Sequence, residues 1–239
     1  MLCLRSNATL AATDPTEFAN TLVDTLGVKH LVVGDDFRFG KDRQGDFALL
    51  KTVGTQRGFS VATHPTVEAG DQRISSTLIR ELLAAGKLGE AAGLLGQPFR
   101  VTGRVTHGEK LGRQLGFPTA NIPLRRSRSP LAGVYVVTVE GLADEGLTKD
   151  SGVANSGGAR GPRQAIANVG RRPTVNGQRD QLEVHLLDYQ GDLYGQRLTI
   201  SFLAKLRGEQ KFASLEALKT QIATDVELTR AWFAANDPG

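Results

Sequence analysis

Hydrophobic side chains in the first third of the chain alternate between helical spacing and short continuous runs. Apolar stripes with a polar cap at one end and a glycine at the other predict three helices, at residues 14–27, 46–57 and 75–86. The short apolar runs at 30–33 and 59–63 lie between these helices and are typical of buried strands. The order helix–strand–helix–strand–helix indicates an α/β domain with a parallel sheet and crossover helices.

After Gly96 the hydrophobic period changes to two. Alternating apolar and polar positions predict strands at 99–103, 134–139, 182–187 and 197–206. In the last of these strands, Leu206 is expected to face the same side as Ile200 and Phe202. Several strands without intervening helices indicate an antiparallel barrel or sandwich.

A long C-terminal helix is predicted from residue 214 to about residue 234. Its apolar face is expected to consist of Leu215, Leu218, Ile222 and Val226. We therefore expect a two-domain α+β protein. Residues 1–96 form an α/β domain with a parallel sheet, and residues 97–239 form an antiparallel barrel or sandwich with a C-terminal helix.

Residues 143–163 are rich in Gly, Ala and Ser and show no hydrophobic period. This composition predicts a flexible loop between two strands. An insertion that the fold tolerates is the favoured interpretation, and a functional lid is the alternative.

The composition excludes some classes of protein but does not identify a function. Of the 239 residues, 40% are hydrophobic and 23% are charged, which suffices for one large core or two modest ones. No apolar stretch is long enough to cross a bilayer, and a cytoplasmic location is the expectation. The single cysteine, Cys3, excludes an internal disulfide and a multi-cysteine zinc site. The excess of Lys and Arg over Asp and Glu, 29 − 25 = 4, suits phosphorylated small molecules and nucleic acid equally.

The segment from Gly103 to Asn121 is the richest in candidate chemistry. Its four glycines, set among polar and basic residues, let backbone N–H groups approach an anion closely. The G-x-x-x-x-G-K-[ST] phosphate loop occurs nowhere in the chain. Thr119 and Asn121 follow the rigid Pro118 and would point the same way if extended, offering the hard oxygen ligands that a magnesium–phosphate complex accepts. On these residues alone, a polar hairpin loop is favoured over an ATP site.

Three ordered motifs in the second domain resemble the riboflavin kinases. The segment GRVTHGEKLGRQLGFPTANI is similar to the signature of that family, and ANVGRRPTV at 167–175 is similar to its next motif. LEVHLLD at 182–188, followed by DLYG at 192–195, resembles the strand with the family's catalytic glutamate. The resemblance implies a small antiparallel barrel with a C-terminal helix. It also implies transfer of the terminal phosphate of ATP to the primary ribityl hydroxyl of riboflavin.

The same resemblance implies roles for individual residues. Glu183 would be the catalytic carboxylate, and Thr119 and Asn121 would contact magnesium and the nucleotide. Residues that would lie against the ATP phosphates are Gly103, Gly108, Lys110 and Gly112. The strand pattern is compatible with this, because the apolar neighbours of Glu183 face the core and Glu183 projects to the other side. His185 is next along that side, where a surface or packing histidine is the favoured interpretation.

Two motifs of the first domain resemble the FMN adenylyltransferase half of bacterial bifunctional riboflavin kinase/FAD synthetases. They are VGDDFRFG at 33–40 and ISSTLIR at 74–80. The nucleotide site that this resemblance implies consists of Asp36, Ser75, Ser76, Thr77 and Arg80. A helix N-terminus with hydroxyl side chains suits a phosphate, but a Ser-Ser helix cap explains the same residues without a ligand.

The histidines mark where the first domain departs from that family. The resembling enzymes open with a strand and a turn that carry an H-x-G-H motif, which stabilises the triphosphate. The histidines here are His30, His64, His107 and His185, and none lies in such a motif. The resemblance thus implies an incomplete α/β nucleotidyltransferase-like (Rossmann-like) domain at 1–96 whose front is missing, and we expect the adenylyltransferase activity to be lost or very weak. An unpaired sheet edge would then favour self-association through this incomplete domain.

Three alternatives stay open. A basic barrel that binds RNA would use aromatics interleaved with Lys and Arg, and aromatics are only 6% of the chain. Both enzymatic activities would be retained if another chain supplied the missing front, or if the start of the sequence were wrongly assigned. A pseudoenzyme that binds flavin without turnover is disfavoured by the presence of Thr119, Asn121 and Glu183. The expected ligands are riboflavin, FMN, ATP and ADP with Mg²⁺, and neither nucleic acid nor membrane is expected as a partner.

Overall fold

The computed structural model describes residues 7–64, 67–69, 72–108, 111–124, 129–142, 161–174 and 177–236. Packing divides the chain into two compact units, one that ends at Ile74 and one that begins at Ser75. The loop predicted at 143–163 falls almost entirely outside the described residues, which resume at 161.

The first unit combines short helices with a small parallel sheet. Its helices are α1 (Ala8–Ala11), α2 (Pro15–Asp24) and α3 (Phe47–Arg57), with a 3-10 turn at Lys41–Arg43. Its strands are β1 (His30–Gly34), β2 (Ser60–His64), β3 (Glu68–Ala69) and β4 (Gln72–Arg73). Strands β1 and β2 pair in parallel, and β3 and β4 form a short antiparallel hairpin. The predicted parallel pairing is confirmed.

Side-chain caps explain where the helices of this unit begin. The Asp14 carboxylate accepts hydrogen bonds from the backbone N–H groups of the first turn of α2, and Pro15 occupies the first helical position. Asp46 caps α3 in the same way, and Gly58 ends it with a left-handed backbone. These helices pack around a small core that includes Phe39 and Leu50.

The second unit contains the remaining elements. Its helices are α4 (Ser76–Ala84), α5 (Leu88–Leu95), α6 (Leu111–Gln114) and α7 (Leu215–Asn236). Its strands are β5 (Phe99–Arg104), β6 (Ala120–Pro123), β7 (Gly133–Glu140), β8 (Arg163–Thr174), β9 (Gly177–Leu186) and β10 (Arg197–Arg207). The sequence pattern predicted α4, α7 and most of these strands, but not α5.

Six of these strands form one antiparallel sheet in the order β5-β10-β7-β8-β9-β6. The two end strands approach each other, because a Cβ atom at Gly103 of β5 would collide with the Ile122 side chain of β6. The sheet is therefore a nearly closed barrel, as predicted. Its interior is filled by buried apolar side chains such as Val137, Leu182 and Ile200.

The helices α4 and α5 pack against the barrel core. Ile79 and Leu83 of α4, with Leu88 and Ala91 of α5, are buried in the same cluster as the barrel strands. For this reason the packing division falls after Ile74, whereas the sequence placed the domain boundary after residue 96.

A second apolar layer lies on the outer face of the sheet, beneath α7. It is built around Val134, Ile166, Leu187 and Val226. Leu206 also packs here, which corrects the expectation that it faces the interior with Ile200 and Phe202. The reason is a register shift in β10 between Phe202 and Ala204, which reverses the facing of the residues that follow it; a second shift, between Lys205 and Arg207, comes after Lys205. Leu215 was also expected on the apolar face of α7, but it is 53% exposed.

Candidate active site

A cavity of the second unit lies between the outer face of the barrel and α7. Its volume is about 340 Å³, and its walls come from β6, β8, β9, the segment after β10 and α7. Thr119, Asn121 and Glu183 line it together, with Gly112 and His185 beside them. The structure thus brings four of the predicted kinase-site residues into one cavity.

Strand register places the polar residues of this cavity side by side. Glu183 of β9 lies directly opposite Asn121 of β6 on one side and Asn168 of β8 on the other. Directly paired residues point to the same face of a sheet, so the three side chains form a row across three strands. Each has buried apolar neighbours before and after it in the chain, which fixes its side chain toward the outer face.

Asn121 is the most buried member of this row, with 6% of its surface exposed. Its Oδ1 accepts a hydrogen bond from Nε2 of Gln181, and its Nδ2 lies 3.5 Å from the backbone oxygen of Thr119. The amide is therefore oriented, with its oxygen and the nearby Thr119 hydroxyl available as hard ligands. Among the described residues, no group of three or more His, Cys, Asp and Glu side chains is arranged to hold a metal ion.

The glycines of the signature segment have different surroundings. A Cβ at Gly108 would lie 2.5 Å from the Asn121 amide, and a Cβ at Gly112 would collide with the Phe117 backbone and lie 3.2 Å from the Thr119 hydroxyl. These two glycines thus permit close approach of backbone to the two candidate ligands. Gly103, in contrast, faces Ile122 in the barrel interior and does not line the cavity. Lys110 lies outside the described residues.

The opposite wall of the cavity is held by a buried ion pair. The Arg207 guanidinium donates to both carboxylate oxygens of Asp225 on α7, at 2.7–3.0 Å. Asp225 is 2% exposed and also accepts a hydrogen bond from Gln221 at 2.9 Å. Phe212, Leu218 and Ile222 complete this wall with apolar surface. The ion pair joins the end of β10 to α7 at this wall.

A smaller cavity of about 60 Å³ adjoins the same segment. Thr119 lines both cavities, whereas Pro118, Arg113 and Tyr194 line only the smaller one. The Tyr194 ring is tilted by 36° against the ring of His107, with centroids 4.0 Å apart. Thr119 is therefore the common wall of two adjacent spaces.

The residues assigned by resemblance to a second nucleotide site belong to different units. In the first unit, Asp36 forms an ion pair of 2.5 Å with Arg73, and this hydrogen bond raises the pKa of the Arg73 guanidinium. In the second unit, Ser75 caps α4 by accepting a hydrogen bond from the Leu78 N–H, and Arg80 donates to Ser76. The helix cap that the sequence offered as an alternative is thus present, and a role of Ser75, Ser76, Thr77 and Arg80 in nucleotide binding stays a prediction.

Comparison with known proteins assigns families to both parts of the chain. A riboflavin kinase family model matches residues 95–233, and an FAD synthetase model matches residues 1–78. The bifunctional riboflavin kinase/FMN adenylyltransferase of Pseudomonas fluorescens is 51% identical over 98% of this chain and 70% of its own length. The protein of the same name from Escherichia coli K12 is 47% identical over the whole chain and 71% of its own length. The chain belongs to the bifunctional riboflavin kinase/FMN adenylyltransferase family.

A solved structure agrees with the fold. A crystal structure described as a macrolide-efflux protein from Streptococcus pneumoniae aligns with a TM-score of 0.67 and 33% identity, over 95% of this chain and 68% of that one. In the part of the chain that the structure describes, no helix is both long and apolar enough to span a membrane. The family models and the relatives confirm the sequence resemblance to bifunctional riboflavin kinase/FMN adenylyltransferases.

Sequence reasoning missed several residues that line the cavity of this family member. Asn168 lay within a quoted motif but received no role, although it shows the same pattern as Glu183, one polar residue between two buried apolar ones. That pattern was the signal that could have identified it. Arg207 and Asp225 are 18 residues apart and on different elements, so no local pattern could have joined them.

Proposed function

We propose that this chain transfers the terminal phosphate of ATP to the terminal hydroxyl of the ribityl chain of riboflavin, forming FMN and ADP. The observation that supports this best is the row of Asn121, Glu183 and Asn168 at the cavity floor, with Thr119 beside it. A carboxylate next to hard oxygen ligands is the arrangement that phosphoryl transfer to an alcohol requires.

The cavity has the size and polarity that riboflavin would need. Its volume lies within the range of about 300–1,000 Å³ typical of small-molecule sites. Phe212, Leu218 and Ile222 offer apolar surface to a flat ring system, and the polar row lies elsewhere in the same cavity. We propose that the ring packs on this apolar wall and that the ribityl chain reaches Glu183.

Glu183 would orient and deprotonate the attacking hydroxyl. Its carboxylate would accept the hydroxyl proton while the hydroxyl oxygen forms a bond to the terminal phosphorus. The bond from that phosphorus to the bridging oxygen breaks, and ADP leaves with the bonding electron pair. The proton count is balanced when Glu183 later releases the proton to solvent.

Thr119 and Asn121 would hold the magnesium ion that accompanies ATP. The hydroxyl and the amide oxygen are the hard ligands that Mg²⁺ accepts alongside phosphate oxygens, so the residues present fit such an ion. When bound, the ion would neutralise charge on the phosphates. Because Thr119 also lines the smaller cavity, we propose that the nucleotide occupies that side and directs its terminal phosphate past Thr119 toward Glu183.

We also propose that these 239 residues form little FAD. The proposal rests on the four histidines, none of which lies in an H-x-G-H motif. Family membership alone supports both activities, so the proposal of weak adenylyltransferase activity depends on this one sequence feature.

A time course of flavins resolved by chromatography tests both proposals. The purified chain is incubated with riboflavin, ATP and MgCl₂, and riboflavin, FMN and FAD are quantified together with ADP. FMN is expected to accumulate with one ADP per FMN, and FAD is expected to stay at the level of a blank without protein. Absence of FMN would contradict the kinase, and an FAD peak that grows after FMN would contradict the loss of the second activity.

A further inference from the structure

The backbone pairing of β6 with β9 stops just before Thr119, which is proposed to hold magnesium and the nucleotide. Their register runs from Pro123 opposite Gln181 to Ala120 opposite Val184. Thr119 precedes this ladder, and Pro118 before it has no backbone N–H with which to extend the pairing. The segment 117–119 therefore lies beyond the β6–β9 ladder, and the hydrogen bond from the Phe117 N–H to the Gly112 oxygen does not join it to β9.

His185 provides a contact between this segment and β9. It follows Val184, the last residue of β9 that pairs with β6, and its Nδ1 lies 2.8 Å from the backbone oxygen of Pro118. A carbonyl oxygen only accepts hydrogen bonds, so Nδ1 must carry the proton and donate. The ring also meets the Phe117 ring edge-on, with centroids 5.6 Å apart and an interplanar angle of 86°. One side chain thus fixes two consecutive residues of the segment.

This segment separates the two cavities. Phe117 lines the larger one, Pro118 lines the smaller one, and Thr119 lines both. A displacement of the Pro118 carbonyl would move the Thr119 hydroxyl, because the two groups belong to adjacent residues. A displacement of about 1 Å at such a position is enough to lower the rate of a positioned reaction about 100-fold.

We infer that His185 is a positioning residue that holds Thr119 in place for the nucleotide through its Nδ1–H···O=C bond to Pro118. The inference rests on the proposed kinase function and deepens it. His185 does not act on the reacting atoms in this account. His185 lines the larger cavity, whereas Pro118, to which it donates, lines only the smaller cavity on the proposed nucleotide side.

Three substitutions separate this role from general packing. His185→Asn places an amide N–H at the position of Nδ1, whereas His185→Gln places it about one bond further out, and His185→Ala removes it. We expect His185→Gln and His185→Ala to lower kcat/KM for ATP by about 10–100-fold, the range seen when the partner of a metal-site ligand is removed. His185→Asn should restore the value to within about threefold of the unmodified chain.

Binding measurements distinguish this inference from the kinase assignment itself. Titration calorimetry with a non-hydrolysable Mg-ATP analogue should show the same order, Asn above Gln and Ala, and it requires no turnover. Riboflavin affinity, followed by quenching of flavin fluorescence, should change less than about threefold in all three variants. His30→Gln is the matched control, since the Nδ1 of His30 bonds to Ser60 at 2.6 Å in the first unit, and it should change neither quantity.

Two results would overturn the inference. One is equal loss of nucleotide affinity in the Asn, Gln and Ala variants. The other is a parallel loss of riboflavin affinity, which a general collapse of the cavity would produce. Absence of FMN formation by the unmodified chain would instead contradict the proposed function, and the nucleotide titration would still decide whether His185 positions Thr119.

Discussion

The barrel unit and the first unit hold their candidate residues in different ways. In the barrel, Asn121, Asn168 and Glu183 are aligned by strand register, and buried neighbours on both sides fix their direction. In the first unit, Asp36 follows the end of β1 and is held by Arg73, with both side chains more than half exposed. The hydrogen-bonded ladder between strands fixes the positions of its side chains, whereas an exposed ion pair contributes little to stability. The difference indicates that the candidate kinase site is preformed.

The two units also differ in how completely their sheets are covered by apolar side chains. The barrel is a six-stranded sheet packed on both faces, inside by its own core and outside by α7. The described sheet of β1 and β2 has two strands, and Val32 in the middle of β1 is 64% exposed. Two strands alone are marginally stable in water, so the first unit depends on the packing of α2 and α3. Self-association through this unit stays a prediction.

The largest expected effect tests the candidate kinase site, whose side chains are aligned by strand register. Glu183→Gln should lower kcat by about 10²–10⁴-fold, because it removes the base while keeping the volume. Riboflavin affinity should stay within about threefold. Glu140→Gln on β7 is the matched control, since this exposed carboxylate pairs with Arg100 away from the cavity. Full activity of Glu183→Gln would mean that another group accepts the proton.

The next effect compares the two cores directly. Leu83→Ala and Leu50→Ala each remove a fully buried side chain, one from each unit, and each should cost its own unit about 2–5 kcal/mol of unfolding free energy. Only Leu83→Ala should lower the temperature at which FMN formation is lost. Thermal inactivation of FMN formation, measured for both variants, checks this. Equal inactivation by both would show that the barrel depends on the first unit.

A smaller effect is expected where backbone approaches the candidate ligands. Gly108→Ala would push a methyl group against the Asn121 amide, so kcat/KM for ATP should fall by about 10–100-fold. Gly93→Ala on α5 is the control, because a Cβ there meets nothing within 4 Å. It should leave the rate unchanged and raise the unfolding free energy by about 0.5–1 kcal/mol. An unchanged rate in Gly108→Ala would exclude the oriented Asn121 from nucleotide binding.

The smallest effect concerns a surface ion pair of the barrel unit. Arg230 of α7 donates two hydrogen bonds to Asp188 and thereby lowers the pKa of Asp188 below its ordinary value of 3.8. A lowered folded-state pKa stabilises the protein above pH about 4, and this contribution is lost as the pH falls through the folded value. Because both side chains are largely exposed, it should be below about 1 kcal/mol.

Thermal unfolding of Asp188→Asn checks this sign. Asn tolerates the left-handed backbone at this position, where φ is +52°. The difference in Tm between the unmodified chain and the variant should be present at pH about 6 and shrink toward pH about 3. A difference that grows toward low pH would contradict the lowered pKa.

The sequence predicted the elements better than the way they pack. Alternation in β9 was enough to place Glu183 opposite the core, since the period of a strand is two. The same rule failed for Leu206, because β-bulges in β10 depend on the partner strand and leave no mark in the local pattern. The helix α5 was missed, and with it the burial of α4 and α5 against the barrel.

The candidate site was predicted only in part for a related reason. Thr119, Asn121 and Glu183 came from motifs, and their meeting in one cavity required the register of β6 with β9. Asn168 and the Arg207–Asp225 pair are long-range partners that only the fold brings together. Glycine motifs did not distinguish Gly103, which faces the barrel interior, from Gly108 and Gly112.

A crystal structure with riboflavin and a non-hydrolysable Mg-ATP analogue tests the central claim most directly. The terminal ribityl oxygen should lie within about 2.6–3.2 Å of the Glu183 carboxylate, with the metal on the oxygens of Thr119 and Asn121. Riboflavin bound outside the cavity beneath α7, or a ribityl hydroxyl directed away from Glu183, would contradict the account.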